Sequence, residues 1–276
     1  MNNCKICSSD KIEEFSIGST DLIKCRNCEI IYNKNTQQVQ QINKYYKEKY
    51  VLDKNQLKPM QRYFHRMPEF IKLMSFIDKF KFAPATILDI GCDKGYFLEF
   101  ARHFGYKVQG VELSESARNY AMELGLDVYE NLDVVDKKFD IVVMWHSLEH
   151  FPNPKDGLKQ INKLLNQNGI IMIRVPNFEN FWRKIFGKYW IWFQPESHYF
   201  HFTPKSLKNL LESCDYSVEY VKSGRPNNCL TYFSNFISKK SFKKYFGLKP
   251  TTKSYIYTIY EYLTGIEVFA VAKKIK

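Results

Sequence analysis

Short apolar runs alternate with helical patterns between residues 84 and 221 of the 276-residue chain. The unbroken apolar run at 139–144 predicts a buried strand, because strands of a parallel sheet are covered on both faces. Further strands are predicted at 87–89, 107–112, 127–130, 170–175, 216–221 and 266–272, and helices at 95–104, 114–124 and 155–165 and from residue 203 onward. This alternation predicts an α/β fold with a doubly wound, mostly parallel, Rossmann-like sheet.

A glycine turn follows the first predicted strand. Gly91 and Gly95 bracket it, and a helical pattern begins directly afterwards. Glycine permits both the sharp turn and the close approach of a ligand to the backbone. About 20 residues later the second strand ends at Glu112, where a carboxylate suits the two hydroxyls of a ribose. Because Asp89 and Asp93 would repel a pyrophosphate, this pattern favours a cationic nucleoside, S-adenosylmethionine (SAM), over a dinucleotide.

Asp89 and Glu112 end two of the predicted strands, and the segment 145–151 directly follows a third. In open α/β sheets, ligands bind beyond the carboxyl ends of the parallel strands. All three features are therefore predicted to meet at one edge of the sheet.

The stretches LDIGCDKGYF, GVELS and FDIVVMWHSLEHFPNP resemble the class I SAM-dependent methyltransferases. The resemblance is closest to their small-molecule branch, which carries a Glu-His pair after the fourth strand. It covers residues 83–176 well and 199–218 more loosely, and it implies an antiparallel last strand. Asp93 is a departure, because that family most often has glycine there. The expected cofactor-binding residues are Asp89, Gly91, Cys92, Asp93, Gly95, Glu112, Leu113, Asn131, Trp145 and His146.

Methyl transfer from a sulfonium mainly requires that the protein position and desolvate the acceptor. A base is needed where the acceptor must lose a proton, and histidine suits that role near neutral pH. Four histidines, together with Glu149, are the catalytic candidates: His146, His150, His198 and His201. We expect His150 or His198 to be the general base and Glu149 to orient a partner. The resemblance places His146 beside SAM, and it places His198 and His201 on the acceptor side.

Two other interpretations of these residues stay open. Glu149 and His150 could cap a loop, while His198 and His201 could be hydrogen-bonding residues of the packed interior. Alternatively, Glu149, His150 and His198 could bind a metal ion, although sequence spacing alone does not support that set.

The N-terminal stretch contains the pairs Cys4-x-x-Cys7 and Cys25-x-x-Cys28, separated by 17 residues. This spacing is typical of a structural zinc site, in which four thiolates close a tetrahedral shell. A stretch this short has no sizeable core and needs the metal to fold. The alternatives are two redox dithiols or four unrelated thiols.

The predicted domain organisation has three parts. A zinc-ribbon module spans residues 1–33, a linker and helical cap span 34–82, and the SAM-dependent methyltransferase domain spans 83–276. In the cap, Tyr63 and Arg66 are placed to reach the carboxylate of SAM or to lie on a solvated helix face. The stretch 222–265 is predicted to be helical and is given no further structure.

Aromatic and basic residues cluster at 178–203, where Trp182, Trp190 and Trp192 accompany Arg183 and Lys188. We interpret this segment first as a lid insertion or a wall of the acceptor pocket. Packing under a helical hairpin is the second interpretation, and contact with a membrane surface is the third.

The formal net charge is +12, from 41 basic and 29 acidic residues. This indicates either an anionic partner or the lysine-rich composition of an A+T-rich genome, and the second is favoured because the lysines are scattered. No apolar run approaches a membrane span, and the first residues lack a leader pattern. The expected location is the cytoplasm, where the seven cysteines would be reduced or metal-bound.

Three functions compete. The first is methylation of a small molecule, favoured to be a hydroxyl of a sugar or nucleotide-linked sugar in surface-glycan or secondary-metabolite biosynthesis. The second is RNA methylation, with the zinc module and basic surface gripping nucleic acid. The third is a non-catalytic module that binds SAM.

Overall fold

The computed structural model describes residues 3–35, 59–224 and 265–275. The strands of the first part are β1 Ile12–Ile17, β2 Thr20–Cys25 and β3 Ile31–Asn33. The second part contains, in order, α1 Pro59–Ile77, β4 Thr86–Ile90, α2 Tyr96–His103, β5 Lys107–Val111, α3 Glu115–Glu123, β6 Val128–Tyr129, β7 Phe139–Trp145, α4 Pro154–Leu164, β8 Leu165–Pro176, α5 Phe181–Phe186, β9 Phe200–His201, α6 Pro204–Glu212 and β10 Tyr216–Ser223. The last part is β11 Glu267–Lys274.

The main sheet has seven strands in the order β10-β11-β8-β7-β4-β5-β6. Strands β4 to β8 run parallel to one another, while β11 is antiparallel to both β8 and β10. The predicted fold class, including the antiparallel last strand, is thereby confirmed. The order reverses at β4, with β5 on one side and β7 on the other, and such a switch point opens a crevice for ligands.

Local sequence signals set the starts of three helices. The Ser114 hydroxyl accepts a hydrogen bond from the Ala117 amide and caps α3. Asn153 caps α4 in the same way, directly before Pro154. Thr203 and Ser206 form a reciprocal capping box at the start of α6, so this helix begins where the sequence predicts.

A second sheet joins the N-terminal residues to the main domain. Its order is β1-β2-β3-β9, so three strands of the cysteine-containing segment pair with a strand from residues 200–201. Ile31 lies opposite His201 and Tyr32 opposite Phe200. Tyr32 and the buried Cys4 and Cys25 pack into the same apolar cluster as residues beneath the main sheet. The sequence analysis predicted neither this sheet nor β9.

Some boundaries differ from the prediction. The helix expected to reach residue 82 ends at Ile77, and in the turn that follows Asp78 Oδ1 accepts a hydrogen bond from the Tyr106 hydroxyl at 2.6 Å. Strand β8 begins at Leu165 rather than Ile170. Most of the stretch 222–265, and residues 36–58 of the predicted linker, lie outside the described residues. Within the described ranges, no helix is long and apolar enough to cross a membrane.

Candidate functional site

A cavity of about 610 Å³ opens at the carboxyl ends of β4, β5 and β7. The crevice therefore lies at the topological switch point. Its lining includes nine of the ten predicted cofactor-binding residues: Asp89, Gly91, Cys92, Asp93, Glu112, Leu113, Asn131, Trp145 and His146. The tenth, Gly95, is not part of the lining. It has φ +73°, and a Cβ there would lie 2.4 Å from Leu126, so it is required for packing.

The turn after β4 brings backbone against the cavity. Gly91 has φ +80°, and a Cβ there would lie 2.4 Å from the Ser147 hydroxyl. Asp93 adopts φ +52°, a left-handed conformation that aspartate tolerates better than most residues. This explains how aspartate occupies a position where the resembled family has glycine.

Glu112 is buried and fixed at both carboxylate oxygens. Oε1 accepts a hydrogen bond from the Ser114 amide at 2.8 Å, and Oε2 accepts one from the Asp93 amide at 2.9 Å. Each oxygen keeps a second lone pair for a ligand. The carboxylate thus ties the β4 turn to the β5 end, so one residue both shapes the crevice and offers a bidentate acceptor.

Asp89 is 3% exposed and lines the same cavity. Burial raises the pKa of its carboxyl to about 7; Arg66 opposes this shift, while Glu112 and Asp93 reinforce it. Its Oδ1 accepts no hydrogen bond from any described residue. A buried, unsatisfied acceptor that faces a cavity suits a cationic ligand.

His146 lies between two carboxylates. Its Nε2 is 2.7 Å from Glu267 Oε1, and its Nδ1 is 3.3 Å from Glu149 Oε1. Burial disfavours the charged ring, but Glu267 and Glu149 outweigh it and raise the pKa of His146 to about 9. The ring stacks on Trp192 at a centroid distance of 4.6 Å. His146 therefore keeps its proton at neutral pH and is poorly suited to act as a general base.

His150 and His198 meet beside Glu149. The ring centroids of the two histidines are 4.8 Å apart. His150 Nδ1 is 2.8 Å from the Ser197 carbonyl, and His198 Nδ1 is 3.0 Å from the Trp192 carbonyl, so each Nδ1 donates to a backbone oxygen. Burial lowers the pKa of His198 to about 4, which keeps the ring neutral.

Glu149 is 1% exposed, and within the described part of the chain neither of its oxygens accepts a hydrogen bond. Its ligand atom and those of His150 and His198 lie within 4.8 Å of one another. The set could act through a bare imidazole or hold a cation. His150 alone of the three lines the cavity.

His201 is separate from this group. Its Nε2 donates to Asn33 Oδ1 at 3.0 Å, and burial lowers its pKa to about 3. Its hydrogen bond joins it to the N-terminal segment, and it does not line the cavity.

Sequence reasoning missed a buried ion-pair network behind His146. Arg174 of β8 and Glu267 of β11 are diagonal neighbours on paired strands, since Arg174 lies opposite Phe269, and Arg174 Nε is 3.6 Å from Glu267 Oε2. Arg174 also pairs with Glu69 of α1. Charged residues within apolar strands are the available signal, since buried charges are almost always paired.

The four N-terminal cysteines converge. Cys4 Sγ is 3.7 Å from Cys28 Sγ, and Cys7 Sγ is 3.6 Å from Cys25 Sγ. A tetrahedral zinc site with Zn–S bonds of about 2.3 Å has S–S edges of about 3.8 Å. The amides of Ile6 and Cys28 point at sulfur atoms of the set. These distances fit a structural Zn²⁺ ion and are too long for disulfides.

The aromatic segment divides into two parts. Trp192 stacks on His146, which lines the cavity. Phe178, Trp190 and Phe193 instead pack with β2 and β3 residues. Around α5 the large apolar side chains are exposed: Phe181, Ile185, Phe186, Tyr189 and Ile191.

Comparison with known protein families gives a match to the family model described as "Methyltransferase domain", over residues 60–221. A similar curated protein is the ubiquinone biosynthesis O-methyltransferase of Pasteurella multocida, with 29% identity over 111 residues, 33% of this chain and 46% of that protein. The enzyme of the same name from Caulobacter vibrioides is 30% identical over 107 residues, 35% of this chain and 42% of that protein. The chain thus spans less than half the length of these relatives.

Solved structures share the fold at low identity. The plantazolicin methyltransferase in complex with SAH has 18% identity and a TM-score of 0.53, covering 86% of this chain and 96% of that one. A possible histamine N-methyltransferase from Thermotoga maritima has 16% identity and a TM-score of 0.53, covering 83% and 99%.

Proposed function

The chain belongs to the methyltransferase-domain family, and from this premise we propose that it transfers the methyl group of SAM to a hydroxyl of a small molecule. One observation carries the proposal: Glu112 and the unsatisfied Asp89 carboxylate face one cavity across a glycine turn. When bound, SAM supplies an electrophilic methyl group. Glu112 would hold the ribose hydroxyls, Asp89 the ammonium and Arg66 the carboxylate.

The ionisation of Asp89 makes donor binding depend on pH. Because a cationic ligand prefers the ionised carboxylate, and the pKa of Asp89 is about 7, affinity should rise with pH and binding should release a proton. We expect a gain of about fivefold between pH 6 and pH 7. Calorimetry in buffers of different ionisation enthalpy measures both quantities.

Asp89→Asn is the matched variant for that measurement. It keeps the shape of the side chain but cannot ionise, and the amino group of the donor titrates identically in both proteins. The pH-dependent gain should vanish in the variant. An equal gain in the two proteins would exclude Asp89 as the source.

On the acceptor side, the proposed base comes from the pair His150 and His198. Both are held at Nδ1 by a backbone carbonyl and burial keeps His198 neutral, whereas His146 carries its proton between Glu149 and Glu267. His150 lines the cavity and is better placed to meet the acceptor, while Glu149 stabilises the imidazolium that forms. Trp192 and Phe151 would help to exclude water.

Substituting these histidines should lower turnover more than donor affinity. For His150→Ala and His198→Ala we expect kcat to fall by about 100-fold or more in the variant that lacks the base, with SAM affinity within a factor of about two. The exposed His103 on α2 provides the control, His103→Ala. Unchanged kcat in both variants would remove the pair from the mechanism.

Assays of protein that retains its structural zinc, with and without added Mn²⁺, distinguish the two chemical roles of this cluster. Turnover that needs Mn²⁺ would favour a metal held by Glu149, His150 and His198. Turnover independent of Mn²⁺ would favour a bare imidazole base.

Two acceptor classes compete within this proposal. A hydroxyl of a sugar or nucleotide-linked sugar is supported by analogy, since a zinc ribbon, a helical segment and a methyltransferase core in this order resemble glycan-pathway enzymes. The names of the curated relatives, which are ubiquinone biosynthesis O-methyltransferases, support a quinone-related hydroxyl instead.

Isotopically labelled SAM tests the function directly. The protein is incubated with nucleotide-sugar, catechol and RNA pools, and the products are identified by mass spectrometry. Label in a nucleotide sugar or a catechol selects the acceptor class. Label in RNA would overturn the small-molecule proposal, and SAM binding without transfer to any pool would leave only a binding module.

A further inference from the structure

The N-terminal segment reaches the group formed by His150, His198 and Glu149 through a buried side chain, that of Asn33. This residue ends β3 and is 5% exposed. Its Nδ2 donates to the Pro195 carbonyl at 2.7 Å and to the His198 carbonyl at 3.1 Å. Its Oδ1 accepts from His201 Nε2 at 3.0 Å. One amide thus fastens both ends of the segment 195–201.

That segment sets the geometry around the cavity. The Ser197 carbonyl accepts from His150 Nδ1, and the Tyr199 amide donates to the Glu149 carbonyl at 2.9 Å. His198 itself is held at Nδ1 by the Trp192 carbonyl. A shift of the 195–201 backbone would therefore displace both histidines relative to Glu149.

The backbone pairing of β3 with β9 also reaches the segment 195–201, while the side-chain contacts between the N-terminal segment and helices α4 and α6 lie elsewhere. Lys205 of α6 pairs with Glu29, and Asn209 Nδ2 donates to the Cys28 carbonyl at 3.3 Å. Lys155 of α4 donates to the Ile6 carbonyl. These contacts attach the segment to two helices, whereas Asn33 reaches the backbone of the proposed active site.

We propose that Asn33 is a positioning residue. Through Asn33, the N-terminal segment that carries the four cysteines forms part of the acceptor side of the active site. The inference rests on the proposed methyl transfer for its catalytic consequence. Its structural part, the placement of His150 and His198 by Asn33, is independent of the acceptor. The N-terminal segment thus acts on His150 and His198 of its own chain.

Two variants test the proposal. Asn33→Ala removes all three hydrogen bonds, and Asn33→Asp keeps an acceptor for His201 but cannot donate to the two carbonyls. The control is Glu29→Ala, which removes an ion pair between the partly buried Glu29 of the same module and the exposed Lys205 of α6. Zinc content and thermal melting establish that each variant is folded.

The first readout is the side-chain ¹⁵N spectrum of histidine-labelled protein, which reports which ring nitrogen carries the proton. In wild type and Glu29→Ala the spectra should show a proton on Nδ1 of both His150 and His198. Both Asn33 variants should shift these two sets of signals. Unchanged His150 and His198 signals in folded, zinc-loaded Asn33→Asp would overturn the proposal.

The second readout is kinetic and uses 3,4-dihydroxybenzoate and a nucleotide sugar as probe acceptors. In the Asn33 variants kcat should fall about 100-fold, as for a misplacement of about 1 Å, with SAM affinity unchanged. Wild-type protein that methylates neither probe counts against the proposed acceptors, while the spectra still decide the role of Asn33. A full kcat in both variants would contradict it.

Discussion

Glu112→Ala should weaken SAM binding by about 100-fold. The variant removes a buried carboxylate whose two oxygens each retain a lone pair for a ribose hydroxyl. Hydrogen bonds to a charged group contribute about 1.5 kcal/mol or more each, so two of them correspond to about two orders of magnitude. The loss should be larger still if the Asp93 turn loosens. Calorimetry with SAM measures the affinity.

Glu130→Ala is the control for this prediction. It removes an exposed carboxylate from the loop after β6, which does not line the cavity. Its SAM affinity should equal that of the wild type. Equal affinity in Glu112→Ala and Glu130→Ala would show that the nucleoside binds elsewhere.

Cys25→Ser should abolish stoichiometric zinc and unfold the N-terminal module. Cys25 is fully buried, and its sulfur is 3.6 Å from Cys7 Sγ in the four-thiol cluster. Structural zinc contributes about 10 kcal/mol or more to the folding of small modules. Loss of that contribution should unfold the three-stranded segment. Because β3 pairs with β9, the damage should extend to residues 200–201. Metal analysis and hydrogen exchange measure the two effects.

The matched control is Cys214→Ser. Cys214 is also buried, but it lies in the turn after α6, and its thiol contacts the Lys155 carbonyl. A serine hydroxyl can make the same contact, so this variant should keep its zinc. Retention of one zinc per chain by Cys25→Ser would contradict the assigned metal site.

The donor side of the cavity could be predicted because its signals are local. The glycine turn, Asp89 and Glu112 each stand at the end of an apolar run, and strand ends meet at one edge in a parallel sheet. Caps gave the helix starts for the same reason: Ser114 and Thr203 act on residues three positions away. Such signals need no knowledge of tertiary contacts.

The acceptor side depends on pairs far apart in the sequence. Glu267 contacts His146 across 121 positions, and Asn33 contacts His201 across 168. Nothing in the sequence near Asn33 distinguishes it from polar residues that lie in surface loops. Only the β3–β9 pairing, which depends on the folded module, gives it a role.

The aromatic segment illustrates a third limit. Its composition predicted a lid, a packed segment or a membrane contact. In the structure its aromatic side chains have different surroundings. Trp192 covers His146, Trp190 packs against the N-terminal module, and Tyr189 is 79% exposed. Composition does not separate adjacent aromatic residues, because their directions follow from backbone turns that the sequence does not mark.

The most direct test is a crystal structure of the wild-type protein soaked with S-adenosylhomocysteine, which carries the same ribose and amino-acid groups as SAM. The account predicts density in the cavity, with both ribose hydroxyls within hydrogen-bonding distance of the Glu112 oxygens and the ammonium beside Asp89. An empty cavity at a saturating ligand concentration, or a nucleoside bound away from Glu112, would contradict it.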